Sequence, residues 1–69
     1  MHELEALRER LQAIGEDLTD EAIRLLRSAR VTAEDDERAA LVAQERRITR
    51  ARRAVEKAVH LLDGAEPAD

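Results

Sequence analysis

What most limits this chain is a long apolar series at helical spacing: Leu4, Leu7, Leu11, Ile14, Leu18, Ala22, Leu25, Leu26 and Ala29. At about 100° per residue these positions fall within an arc of about 120°, so one unbroken helix keeps them all on one side. The steps of three and four average close to the natural helical period, so little supercoil is demanded. Alternation at period two is absent, and Ala, Leu, Glu, Arg and Gln, all good helix formers, dominate. An all-α chain is predicted, with a first helix over about residues 2–29.

A second series follows. Leu41, Ile48, Val55 and Leu62 recur every seven residues, with Ala51, Ala58 and Val59 in the intervening turns, which predicts a helix over about 33–63. Val31-Thr32-Ala33-Glu34-Asp35 reads as the connection: Thr32 is placed to cap the free amides, and Asp35 to complete a weakened capping box. Asp63-Gly64 reads as a stop, since glycine accepts the left-handed conformation at a helix end. Residues 1–64 are thus one helical hairpin domain and 65–69 a flexible tail. One alternative stays open. Gly15 costs about 1 kcal/mol inside a helix, and Thr19-Asp20-Glu21 has the form of an N-cap and acidic first turn. A break near 15–19 would give a three-helix bundle.

Composition narrows the chemistry. The 69 residues include no Cys and no aromatic residue, so zinc-thiolate, iron–sulfur and disulfide chemistry and aromatic stacking of single strands are excluded. No stretch approaches the roughly 20 apolar residues of a membrane span, and Met-His-Glu-Leu-Glu does not open like a signal peptide. A cytoplasmic protein without cofactor or metal is expected, with no membrane contact. Eleven of the twelve basic residues are Arg, a usage expected of a GC-rich bacterial genome. The net charge of −4 is unfavourable for general nucleic-acid binding.

Two rods of this length would each exceed 40 Å at about 1.5 Å per residue, and a lone hairpin leaves much of each stripe wet. Scaffolds of roughly 40 to 70 residues without staples are marginal. The expected remedy is a second copy, giving a coiled-coil-like homodimer that forms a four-helix bundle. Its core and interface are read as Leu4, Leu7, Leu11, Ile14, Leu18, Leu25, Leu41, Ile48, Val55 and Leu62. The outlying Ile23 and the Leu25-Leu26 and Leu61-Leu62 pairs widen the apolar surface beyond one seam. Gly15 lies at the edge of the arc, where a missing side chain would let a helix approach closely.

The remaining polar features are few. Arg46, Arg50, Arg53 and Lys57 lie within about 60° on the wheel, nearly opposite the apolar stripe. They form a ridge that is either a solvated face, paired with acids such as Glu9, Glu16 or Asp20 of a neighbour, or a dock for an anionic partner, whether nucleic-acid backbone or an acidic helix. Arg47 and Arg52 read as rim residues with buried stems. Glu56, His60 and Asp63 share one side, with His2 expected nearby, but they lack the paired Glu-x-x-His pattern of di-iron bundles. Gln44 and Glu37 read as polar residues on the inner side of the second helix, Gln44 as a possible setter of register and Glu37 as a wet edge. The hydroxyls Thr19, Ser28, Thr32 and Thr49 form no nucleophile–base pair, so no enzyme is expected.

Leu4-Glu5-Ala6-Leu7-Arg8-Glu9-Arg10-Leu11-Gln12-Ala13-Ile14 resembles the opening helix of the all-helical chorismate mutases, whose active sites are built in helical dimers. The resemblance implies a substrate-binding role for Arg8 and, as a second alternative, a small helical-bundle mutase. It covers residues 4–14 only. The family's next arginine falls at Leu25, its lysine falls near Asp36, and the usual third helix is missing. The leading expectation is a non-enzymatic interaction or regulatory module that self-associates, with an unidentified protein as a further partner. The first alternative is a nucleic-acid-associated protein using the basic ridge.

Overall fold

A computed structural model describes residues 2–64. They form two α-helices, α1 (His2–Val31) and α2 (Asp35–Leu62), folded back on one another as an antiparallel hairpin. The bounds differ from those expected by two residues or fewer at each end of both helices. Residues 65–69, read above as a tail, lie outside the described residues.

α1 runs without interruption through Gly15 and Thr19. The Thr19 hydroxyl does not cap a new helix; it donates to the Gly15 carbonyl at 3.1 Å, one turn back in the same helix. The three-helix alternative with a break near 15–19 is therefore corrected. Leu18, Ala22 and Leu25 continue the packed side beyond that point, and burying such side chains, at about 1.5–3 kcal/mol for a large one, outweighs a single glycine. Glu3 and Glu5 in the first turn and Arg30 in the last complement the helix dipole.

The turn is built differently from the expected capping box. Thr32 does not cap α2; its hydroxyl donates backward to the Ser28 carbonyl at 2.7 Å. Glu34 occupies the N-cap in extended backbone, φ −88° and ψ 131°, with no side-chain capping bond. Its carbonyl accepts the first helical bond, from the Arg38 amide at 3.0 Å. Asp35, Asp36 and Glu37 supply negative charge to the open amides of that end. Arg38 straps the turn from the other side. Its Nε donates to the Ala29 carbonyl at 3.3 Å and its Nη2 to the Thr32 carbonyl at 2.6 Å, while Nη1 meets Asp35 Oδ1 at 2.9 Å. One guanidinium thus satisfies carbonyls at the end of α1 and an acid at the start of α2.

The far end stops as the sequence predicts. Gly64 has φ +84°, and its amide donates to the Leu61 carbonyl at 3.1 Å. The molecule measures 50 × 27 × 11 Å with a radius of gyration of 15.5 Å, against about 11 Å for a compact globule of this length. It is a single layer of two helices. Its buried residues, Ala22, Leu25 and Ala29, all belong to α1 and all lie in the half nearer the turn. Neither helix is long and apolar enough to cross a membrane.

Candidate functional site

The contact seam has a strict heptad on both helices. On α1 it passes through Arg8, Leu11, Gly15, Leu18, Ala22, Leu25 and Ala29; on α2 through Arg38, Leu41, Glu45, Ile48, Arg52, Val55, Val59 and Leu62. Every one of these is buried or half-buried. Three observations fix the register. Arg38 bonds Ala29 across the turn, a Cβ placed on Gly15 would lie 3.6 Å from Val55 Cγ1, and Arg8 Nε pairs with Asp63 Oδ1 at 3.0 Å near the open end.

The two helices contribute opposite kinds of residue. Alternate seam positions of α1 are small (Gly15, Ala22, Ala29), whereas the corresponding positions of α2 are long and charged (Arg38, Glu45, Arg52). Gly15, the smallest of these, has Val55 as its neighbour across the seam, while the charged residues of α2 lay their aliphatic stems along the same seam. Each charged head then finds a local partner: Arg38 with Asp35, Glu45 accepting from the Thr49 hydroxyl at 2.7 Å, and Arg52 with Glu56. No buried side-chain polar atom among the described residues lacks a hydrogen bond, which is why this charged half-seam can stay next to the apolar half.

The expected core residues divide accordingly. Leu11, Leu18, Leu25, Leu41, Ile48, Val55 and Leu62 lie in the seam, whereas Leu4, Leu7 and Ile14 are exposed at 43 %, 47 % and 47 %. Leu26, expected on the same arc as its neighbour Leu25, is exposed, and so are Ile23 and Leu61. Gln44, read as an inner polar residue, is exposed; the polar residue inside is Glu45, one position on. Arg52 is half-buried in the seam rather than at its rim, while Arg47 is exposed and forms no ion pair among the described residues.

Residues that directly precede the seam on either helix look to one side of an antiparallel pair. Leu7 and Ile14 of α1 and Ala51 and Ala58 of α2 therefore flank the seam on the same side, bordered by Ala54 and Leu61 one turn further round. All of these except half-buried Ala58 are exposed. Towards the turn the same side becomes polar, through Glu21 and Ser28 of α1 and Glu37 and Gln44 of α2.

Arg46, Arg50, Arg53 and Lys57 form an exposed ridge on the outer surface of α2, and none of them makes an ion pair among the described residues. The outer surface of α1 carries Glu9, Glu16 and Asp20, also exposed. Over these residues the outer surface of α1 is acidic and that of α2 basic, while nearer the turn α1 carries exposed Arg27 and Arg30.

No protein-family model, curated protein or solved structure matches this chain. The remaining candidates must be weighed on geometry. Arg8, the residue shared with the chorismate mutase pattern, is engaged by Asp63, while Leu25, where that family has an arginine, is 3 % exposed in the apolar seam. Among the described residues no group of acidic and histidine side chains is arranged to hold a metal ion. Glu21 is the one carboxylate with a resolved perturbation: its hydrogen bond from the Arg24 guanidinium, at 3.0 Å from Nε, holds it below the usual range. In that pair Arg24 is exposed and Glu21 half-buried, on the polar half of the side just described.

Proposed function

We propose that this chain is a small, non-enzymatic helical interaction or regulatory module that self-associates through aliphatic helix faces, two hairpins forming a four-helix bundle. The observation that carries the reading is the exposed row of Leu7, Ile14 and Leu61 beside Ala51 and Ala54. Contiguous exposed apolar surface of this kind marks interaction sites, and a single layer of two helices has nothing of its own to cover it. The dense charge elsewhere and the Arg-over-Lys usage support a cytoplasmic setting in a bacterium.

Two substitutions test the reading together. Ile14→Asp changes a side chain that is 47 % exposed in the hairpin, so helical content should survive while association is lost. Ile48→Asp places a charge in the seam and should unfold the hairpin itself. Sedimentation equilibrium at micromolar concentration that finds only the 7.8 kDa species in the unaltered protein overturns the proposal.

A second reading is favoured by the outward ridge of Arg46, Arg50, Arg53 and Lys57, which makes no ion pair among the described residues. It would attract an anionic partner, nucleic-acid backbone in particular, with affinity that falls steeply with salt. A duplex-binding titration that is flat between low and high salt, or unchanged after all four residues become Glu, removes it.

A further inference from the structure

The side that carries Leu7, Ile14 and Leu61 is unequal along its length, and that inequality selects how a second copy sits. We propose that two hairpins pair about a two-fold axis parallel to their long dimension, turns together and open ends together, α1 of each lying against α2 of the other. The proposal rests on the self-association reading above and adds its geometry.

The argument is one of matching. Within one hairpin, Arg8 is level with Asp63, Gly15 with Val55, and Ala29 with Arg38. An axis along the hairpin preserves these levels between copies. Leu7 then comes nearest Leu61 of the second copy, and Ile14 nearest Ala54 and Ala58, so that aliphatic side chains meet aliphatic ones. Nearer the turn, Glu21 comes level with Arg47 of the second copy, and Arg47 has no ion-pair partner among the described residues of its own chain. Each helix is antiparallel to both neighbours, so their dipoles oppose.

The other two-fold arrangement that joins these faces with full overlap turns one copy end for end, α1 over α1. Leu7 and Ile14 would then lie over Ser28 and Glu21 of the other α1. That sets the charged Glu21–Arg24 pair against aliphatic side chains, where burying charge is penalised. The exposed Ile23 and Leu26 flank the opposite side near the turn. Pairing that patch with the Leu7/Ile14 patch of another copy would not close, and growth would continue beyond two.

The absence of cysteine makes the geometry directly measurable. Glu34→Cys, at an exposed position whose side chain makes no capping bond, carries a spin label at the turn. In the full-length dimer, dipolar spectroscopy should find the two labels within about 30 Å, a few interaxial distances. A dimer with labels near 50 Å, the length of the hairpin, overturns this geometry and leaves self-association standing. Species that grow past the dimer also overturn it. A monomer at all concentrations sinks both this inference and the reading it rests on. Arg47→Glu should weaken the dimer about two- to fivefold, the range of one exposed ion pair; an unchanged dissociation constant contradicts the Glu21–Arg47 match.

Discussion

Near the turn, Ala22, Leu25 and Ala29 are buried and Arg38 of α2 reaches the Ala29 carbonyl of α1 and the Thr32 carbonyl of the connection; at the open end, Leu4, Leu7, Ile14 and Leu61 stand half in water. The heptad is the same in both halves, and a polar link spans each, Arg38 to Ala29 and Arg8 to Asp63. What differs is the size of the residues that meet. Small residues at Ala22 and Ala29 let the helices close over Leu25 without another layer. Around Leu7 and Ile14 the larger side chains are turned partly aside from the seam, and closing over them takes something outside the hairpin. The turn half holds the buried residues, and the open half holds the exposed row of Leu4, Leu7, Ile14 and Leu61.

Substitutions can break or sharpen this contrast. The largest effect should come from Leu25→Ala. It empties the best-covered position and should cost about 2–5 kcal/mol in urea unfolding, whereas Leu7→Ala should leave unfolding of dilute protein nearly unchanged and appear mainly as weaker association. Equal losses in the two variants would erase the distinction between the halves. Arg38→Ala comes next. It frees the carbonyls of Ala29 and Thr32 and should cost about 1–3 kcal/mol, measured in the same titration, with Arg38→Lys recovering only part because ammonium cannot reproduce the fork.

Smaller effects follow. Gly15→Ala adds a Cβ at ordinary contact distance, 3.6 Å from Val55, and should stabilise by up to about 1 kcal/mol through helix propensity. Gly15→Leu should fall below Gly15→Ala, since its longer branch presses on the same valine. A rise in melting temperature for Leu above that for Ala would place the glycine outside the contact. Glu21 gives the smallest change. Arg24 holds its carboxylate below the ordinary value in the folded chain, so its contribution is present above the unfolded pKa and is lost as pH falls through the folded one. Glu21→Gln should therefore flatten the acid limb of the melting-temperature profile slightly and leave neutral pH almost unaffected.

Much of this architecture is legible in the residues. The aliphatic arc of α1, the seven-residue recurrence of Leu41, Ile48, Val55 and Leu62, and the Asp63-Gly64 stop lead directly to a long hairpin. Hydrophobic periodicity is blind to the other half of the α2 seam, because Arg38, Glu45 and Arg52 are charged. Gln44 and Glu45 show the limit of the wheel: one residue is about 100° of rotation, enough to exchange inside for outside. The turn is not legible because Thr32 has two acceptable roles, capping forward or bonding backward to Ser28, and sequence does not distinguish them. The candidate surface is readable as a surplus of aliphatic residues, but which of them are surplus depends on the register.

The Arg38 strap also has a kinetic consequence. It links groups only a few residues apart in the chain, so the entropic penalty for closing that first loop is small, and each later layer of the seam adds to one already formed. The hairpin should assemble as a zipper from the bend outwards, on the fast timescale of chains dominated by local contacts. Amide protection in hydrogen exchange should then decline steadily from the bend towards residues 4 and 62, although both lie in regular helix. Transient opening of those ends would bare the seam residues Leu11 and Leu62 while the strapped bend keeps the two helices in step.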